Sequence, residues 1–112
     1  MAKYSATITA DGATLICKVK RPAHATVWQG TAFINGSTFG SGTVTLQASP
    51  DDGTTKIGMK DFNGTTISAT ANSVWPLAPM GNGNENDEYI SIYANITGST
   101  NPSLTVTIWD NR

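Results

Sequence analysis

The side chains that carry most proton transfer, nucleophilic attack and metal binding are scarce in this chain. Its 112 residues include one histidine, His24, one cysteine, Cys17, and eight carboxylates. A serine or cysteine nucleophile needs a base within hydrogen-bond reach. His24 stands between Ala23 and Ala25 in a turn-like segment after Pro22, and nothing around it looks like a nucleophile elbow. Cys17 is set among Leu15, Ile16 and Val19, which reads as a buried core thiol, because a reactive thiol requires an activating partner. One cysteine also excludes an intramolecular disulfide.

Two acidic stretches invite a calcium reading, since a hard cation gathers roughly six to eight oxygens. Asp51-Asp52-Gly53 and Asn84-Glu85-Asn86-Asp87-Glu88 could each supply a few. Neither has the ligand spacing of an EF-hand loop, and Asp-Asp-Gly is already explained as a hairpin turn. No spacing argues for a glycosidase pair of carboxylates either. The run Gly36-Ser37-Thr38-Phe39-Gly40-Ser41-Gly42 leads into a strand and brings no lysine, whereas a phosphate cradle opens a helix and brings one. Asn35, Asn63 and Asn95 head Asn-x-Ser/Thr triplets, but two of these are Asn-Gly turns, and the N-terminus lacks the apolar run of a secretory signal that glycosylation would presuppose. The expectation is a protein that is not an enzyme, with no catalytic residue, cofactor or metal.

The aromatic residues are more informative. Trp28, Trp75 and Trp109, with Tyr89 and Tyr93, can serve as core, as a sugar-stacking platform or as interface anchors. In Leu104-Thr105-Val106-Thr107-Ile108-Trp109 the alternation puts Trp109 with the threonines, opposite the apolar row. Tyr93 lies opposite its isoleucines in the same way. Exposed Trp and Tyr are enriched at interface centres, although each can also cap a sheet edge alone. The expected contact residues are Tyr4, Trp75, Glu85, Asp87, Tyr93 and Trp109.

The elements that must position these side chains are strands. Alternation with a period of two runs through nearly the whole chain, with no convincing helical spacing. Thr, Val and Ile dominate it, as a pleated, half-buried surface prefers. Strands are expected over 4–9, 13–20, 25–34, 42–49, 55–60, 65–71, 88–96 and 103–109. Asp11-Gly12, Asn35-Gly36, Asp51-Asp52-Gly53, Asn63-Gly64 and the segment 98–102 fall between them as turns. Intervals of about ten residues imply antiparallel neighbours. The inward rows read as Val44, Leu46 and Ala48; Ile57 and Met59; Ile90, Ile92, Ala94 and Ile96; and Leu104, Val106 and Ile108. Thr43, Thr45, Gln47, Ser91, Tyr93, Asn95, Thr105 and Thr107 face outward. Pro76 and Pro79 confine the segment 74–79 to an edge or an extended crossing. The loop 80–88, rich in Gly, Asn and acid, has no core to join. The expected fold is one all-β domain over 1–112, an antiparallel β-sandwich with about eight strands.

Composition narrows the partners. Charged residues are 13%, against a usual quarter, while Thr, Ser, Asn and Gly number 17, 9, 9 and 11. The polar surface is therefore mostly hydroxyls and amides. A net charge of −1 gives no extended positive field to hold a phosphate backbone, so nucleic acid is not expected as a partner. Lys18, Lys20 and Arg21 form only a short basic cluster. No stretch approaches the roughly 20 apolar residues that cross a bilayer, and no membrane partner is expected.

The segment Phe39-Gly40-Ser41-Gly42-Thr43-Val44-Thr45-Leu46-Gln47-Ala48-Ser49-Pro50-Asp51-Asp52-Gly53-Thr54-Thr55 resembles a stretch of small β-rich virion proteins of tailed bacteriophages, in which a glycine-led strand precedes a Ser-Pro-Asp-Gly-type hairpin. The segment from Ile96 to Ile108 resembles the closing hairpin of the same proteins. The likeness is to the capsid decoration proteins, also called cement or staple proteins, of short-tailed phages. It implies a sandwich of jelly-roll or immunoglobulin-like type, a homo-oligomer such as a dimer or trimer, and the phage major capsid protein as partner. It also implies synthesis in the host cytoplasm and a place on the outer capsid surface. It transfers no catalytic residue. A carbohydrate-binding module and a head-tail junction or tail protein are the competing readings.

Overall fold

In the computed structural model, residues 2–19, 28–79 and 89–110 are described. Their alternating runs become nine strands: β1 (Ala2–Ile8), β2 (Gly12–Val19), β3 (Gly30–Thr38), β4 (Thr43–Ser49), β5 (Ile57–Gly58), β6 (Ser68–Ala69), β7 (Ser73–Pro76), β8 (Ile90–Thr97) and β9 (Ser103–Asp110). They form two antiparallel sheets, the first in the order β1-β9-β3-β7, the second in the order β2-β8-β4-β5, with β6 also on β4. The fold is the expected all-β sandwich. If β5 and β6 are counted as one interrupted strand, the chain pairs first with last, second with second-last and so inward. That nesting is the jelly-roll arrangement rather than the immunoglobulin one.

The nesting corrects one expectation about neighbours. Consecutive strands are rarely partners here: β1 to β2, β2 to β3, β3 to β4, β7 to β8 and β8 to β9 all cross between sheets. The segment 96–108, read as a closing hairpin, is therefore an arch from the second sheet to the first. Asn35-Gly36 is also not a turn. It lies inside β3 opposite Thr105 and Leu104, with a bulge before Thr38. Glycine is required at 36 because a Cβ there would run into the Ser103 carbonyl and the Leu104 backbone. The chain reverses instead at Phe39–Gly42, where the Gly42 N–H donates to the Phe39 carbonyl at 2.8 Å. Gly40 and Ser41 both take positive φ there, the geometry of a tight reversal.

The core lies between the sheets. Val44, Leu46, Ile92, Ala94, Ile96, Leu104, Val106 and Ile108 are all buried, as the alternation required, and Met59 and Cys17 join them. Ile57 does not. It pairs with Ala48 on the inner side, but in a two-residue edge strand it remains 61% exposed. Burial with help from the Asp110 carboxylate pushes the Cys17 thiol up to about 12, so it stays protonated and inert. Trp28, 1% exposed, is core.

The two long sides of the sandwich differ. On one, the strand β7 is tied to the other sheet through Asp61 and its neighbours. The Phe62 N–H donates to the Pro76 carbonyl at 2.8 Å, and the Ala78 N–H to the Lys60 carbonyl at 3.2 Å. On the other side, β1 and β2 are the outermost strands of their sheets.

Candidate functional site

Strand register places the side chains of the outer face of the first sheet in rows across four strands. Lys3, Trp109, Thr31 and Pro76 form one row; Ser5, Thr107, Phe33 and Val74 form the next; Thr7, Thr105 and Asn35 form a third. Phe33 and Val74 are 37% and 57% exposed, and Trp109 is half-buried between them and β1. Lys3 reaches across, its Nζ 5.3 Å from the centroid of the Trp109 ring, and is the one charged side chain in these rows. Ser5 and Thr107 share a hydroxyl hydrogen bond of 3.0 Å. The result is an apolar strip flanked by hydroxyls and almost free of charge. Interface centres have that composition, depleted of charge and built on aromatic anchors.

The outer face of the second sheet carries Tyr93, in a row with Leu15 and Gln47. Here the turn after β4 folds back over the sheet. The Ser49 hydroxyl accepts from the Gly53 N–H at 2.8 Å and donates to Asp51 Oδ1 at 2.8 Å, and the same carboxylate accepts from the Thr55 N–H at 2.7 Å. These bonds, that from Thr55 first, hold the Asp51 carboxyl below the usual carboxylate range. Asp52 and Gly53 both take positive φ, and Gly53 packs on the Tyr93 hydroxyl so closely that a Cβ would collide with it. Lys56 Nζ stands 5.1 Å over the Tyr93 ring, and Lys18 pairs with Asp52 at 3.1 Å. Ser91 and Ser49, opposite one another under this cover, are buried although they point away from the core. Ser91 faces outward as the alternation requires, yet it is covered.

Of the four expected contact residues that are described, the structure brings Trp109 alone onto the open face. Tyr93 sits under the turn on the opposite face. Tyr4 and Trp75 turn inward and pack half-buried against the core, Trp75 donating its indole N–H to Ser73 Oγ at 2.8 Å. Their strands are edge strands, so inward-pointing aromatics fill the rim of the sandwich rather than its outer surface. Glu85 and Asp87 lie outside the described residues, as does His24. Phe33 and Val74 were missed. Their parity was legible, since each sits out of phase with an inward neighbour, Ile34 and Trp75, but only the register shows them side by side.

Among the described residues no three His, Cys, Asp or Glu side chains converge as a metal site would require. An open, apolar recess of about 330 Å³ is lined by Ala48, Pro50, Ile57, Met59, Ala78 and Ile90 at the edge of the second sheet. Among the described residues no helix is long and apolar enough to cross a membrane. No protein family, curated protein or solved structure matches the chain.

Proposed function

We propose that this chain is a structural protein of a bacteriophage virion. In this reading it is a decoration or cement protein made in the host cytoplasm, seated on the outer capsid surface, and bridging neighbouring major capsid subunits as a homo-oligomer. One observation carries the reading: the strip of Phe33, Val74 and Trp109, aligned on the outer face of the first sheet with a single charge beside it. A surface of that kind is suited to another protein surface, and contacts repeated over a shell add by multivalency. The likeness of segments 39–55 and 96–108 to decoration proteins supplies the identity of the partner. The jelly roll is compatible with it, being common among capsid domains, but it serves lectins as well, and fold alone does not fix function.

A sugar-binding reading has less to stand on. Of the three tryptophans that motivated it, Trp28 is core and Trp75 faces inward, which leaves Trp109 alone. The test is reconstitution. Purified chain is added to heads that lack it, and bound copies are counted. The expected result is saturation at a fixed number per head, with heads that resist heat better. Failure both to bind and to self-associate would overturn the proposal, and a glycan array would then be the next assay.

A further inference from the structure

We propose that two copies of this chain join through β1, edge to edge and antiparallel, so that the first sheets of two sandwiches become one eight-stranded sheet. β1 is seven residues long, paired with β9 in unbroken register on one side. Among the described residues no strand lies on its other side. An edge of this kind carries a row of unpaired N–H and C=O groups and is a template for another strand.

The other edges are each disarmed. β7 is four residues long and ends in a proline whose carbonyl is taken by the Phe62 N–H. β5 and β6 are two residues each. β2 is broken by a register shift between Leu15 and Cys17, the kind of irregularity that ends pairing. β1 has no proline, no bulge and one charge, Lys3.

The occupant follows from the sequence of β1 itself. A two-fold axis through Ser5 pairs all seven residues and keeps the faces matched. Tyr4 then lies beside the partner's Ala6 on the inner side, and Lys3 beside the partner's Thr7 on the outer side. Tyr4 and Ala6 are only half-buried in the single chain, as residues at an unfinished edge would be, and each gains cover from the other's counterpart. No like charges meet. Shifting the axis to Lys3 would oppose two lysines and shorten the ladder. The contact is self-complementary, as an isologous interface must be. It also sets the two Trp109 rows on one continuous face. The inference names the surface for the self-association contained in the virion reading, but it rests on the strand edge and stands or falls without that reading.

The test uses Thr7, exposed on the outer face and outside the core. Sedimentation equilibrium on the full chain gives the dimer dissociation constant for the wild type, Thr7→Lys and Thr7→Glu. Two cross-strand pairs change at once, so Thr7→Lys is expected to weaken the dimer by about tenfold and Thr7→Glu to tighten it several-fold. Added salt should narrow both differences. A monomer at every concentration overturns the proposal. So does an oligomer whose constant neither variant moves, or one that dissociates with Phe33→Thr instead. A dimer that responds to the Thr7 variants but ignores phage heads upholds the edge and sinks the virion reading.

Discussion

The two outer faces of this sandwich are built from similar threonine-rich strands and end up as different kinds of surface. On the second sheet, the turn from Ser49 to Thr55 lies over the strands, buries Ser49 and Ser91, and holds Tyr93 between Gly53 and Lys56. On the first sheet nothing among the described residues folds back, and Phe33 and Val74 stand exposed beside a half-buried Trp109 that carries Lys3 over its ring. The same alternation thus gives a face fastened to its own loop and a face left bare.

That difference can be broken from either side. The largest effect should come from Ser49→Ala, which removes a buried hydroxyl, the acceptor of the part-buried Gly53 N–H and one of the two donors to Asp51 Oδ1. A loss of ~1–3 kcal/mol in urea unfolding is expected, with no change in self-association. Gly53→Ala forces an alanine to a φ of 95° and drives its Cβ into Tyr93, and should cost ~1–2 kcal/mol by the same measurement. The combined Phe33→Thr and Val74→Thr variant keeps β-propensity and should change stability by less than ~1 kcal/mol while removing head binding.

Acid should produce the smallest effect. Hydrogen bonds from the Ser99 hydroxyl and N–H lower the Asp11 carboxyl, as those from Thr55 and Ser49 lower Asp51. Both groups titrate lower in the folded chain than in the unfolded one. They therefore stabilise the fold above the usual carboxylate range, and that contribution is lost as pH falls through their folded-state values. A Tm profile against pH should flatten at its acid end in the Asp11→Asn, Asp51→Asn double variant. The Phe33 and Val74 substitutions should leave that limb unchanged.

Much of this fold was legible in the sequence because burial on one face writes itself as a period of two. The rows from Val44, Ile92 and Leu104 were read from alternation alone, and so was the outward turn of Trp109. What alternation cannot convey is which strands are neighbours. Arches and hairpins both use Gly, Asn and Asp, so the crossing from β8 to β9 looked like a hairpin. Asn35-Gly36 looked like a reversal because its real reason, the close approach of the Ser103 backbone, lies 67 residues away in sequence, from 36 to 103. Tyr4 and Trp75 show the same gap. Their inward turn follows from the sheet order, which puts them on edge strands whose inner side needs filling. Phe33 and Val74 are apart in sequence and become a surface only through the pairing of β3 with β7.

The measurement closest to the central claim is binding to phage heads that lack this protein, comparing the wild type with the Phe33→Thr, Val74→Thr variant and with Leu15→Ser on the opposite face. The expected result is saturable binding by the wild type and by Leu15→Ser, and a loss of at least about tenfold in affinity for the double variant at unchanged Tm. Equal binding by all three, or no binding by the wild type, would contradict the assignment of the open face of the first sheet as the capsid contact.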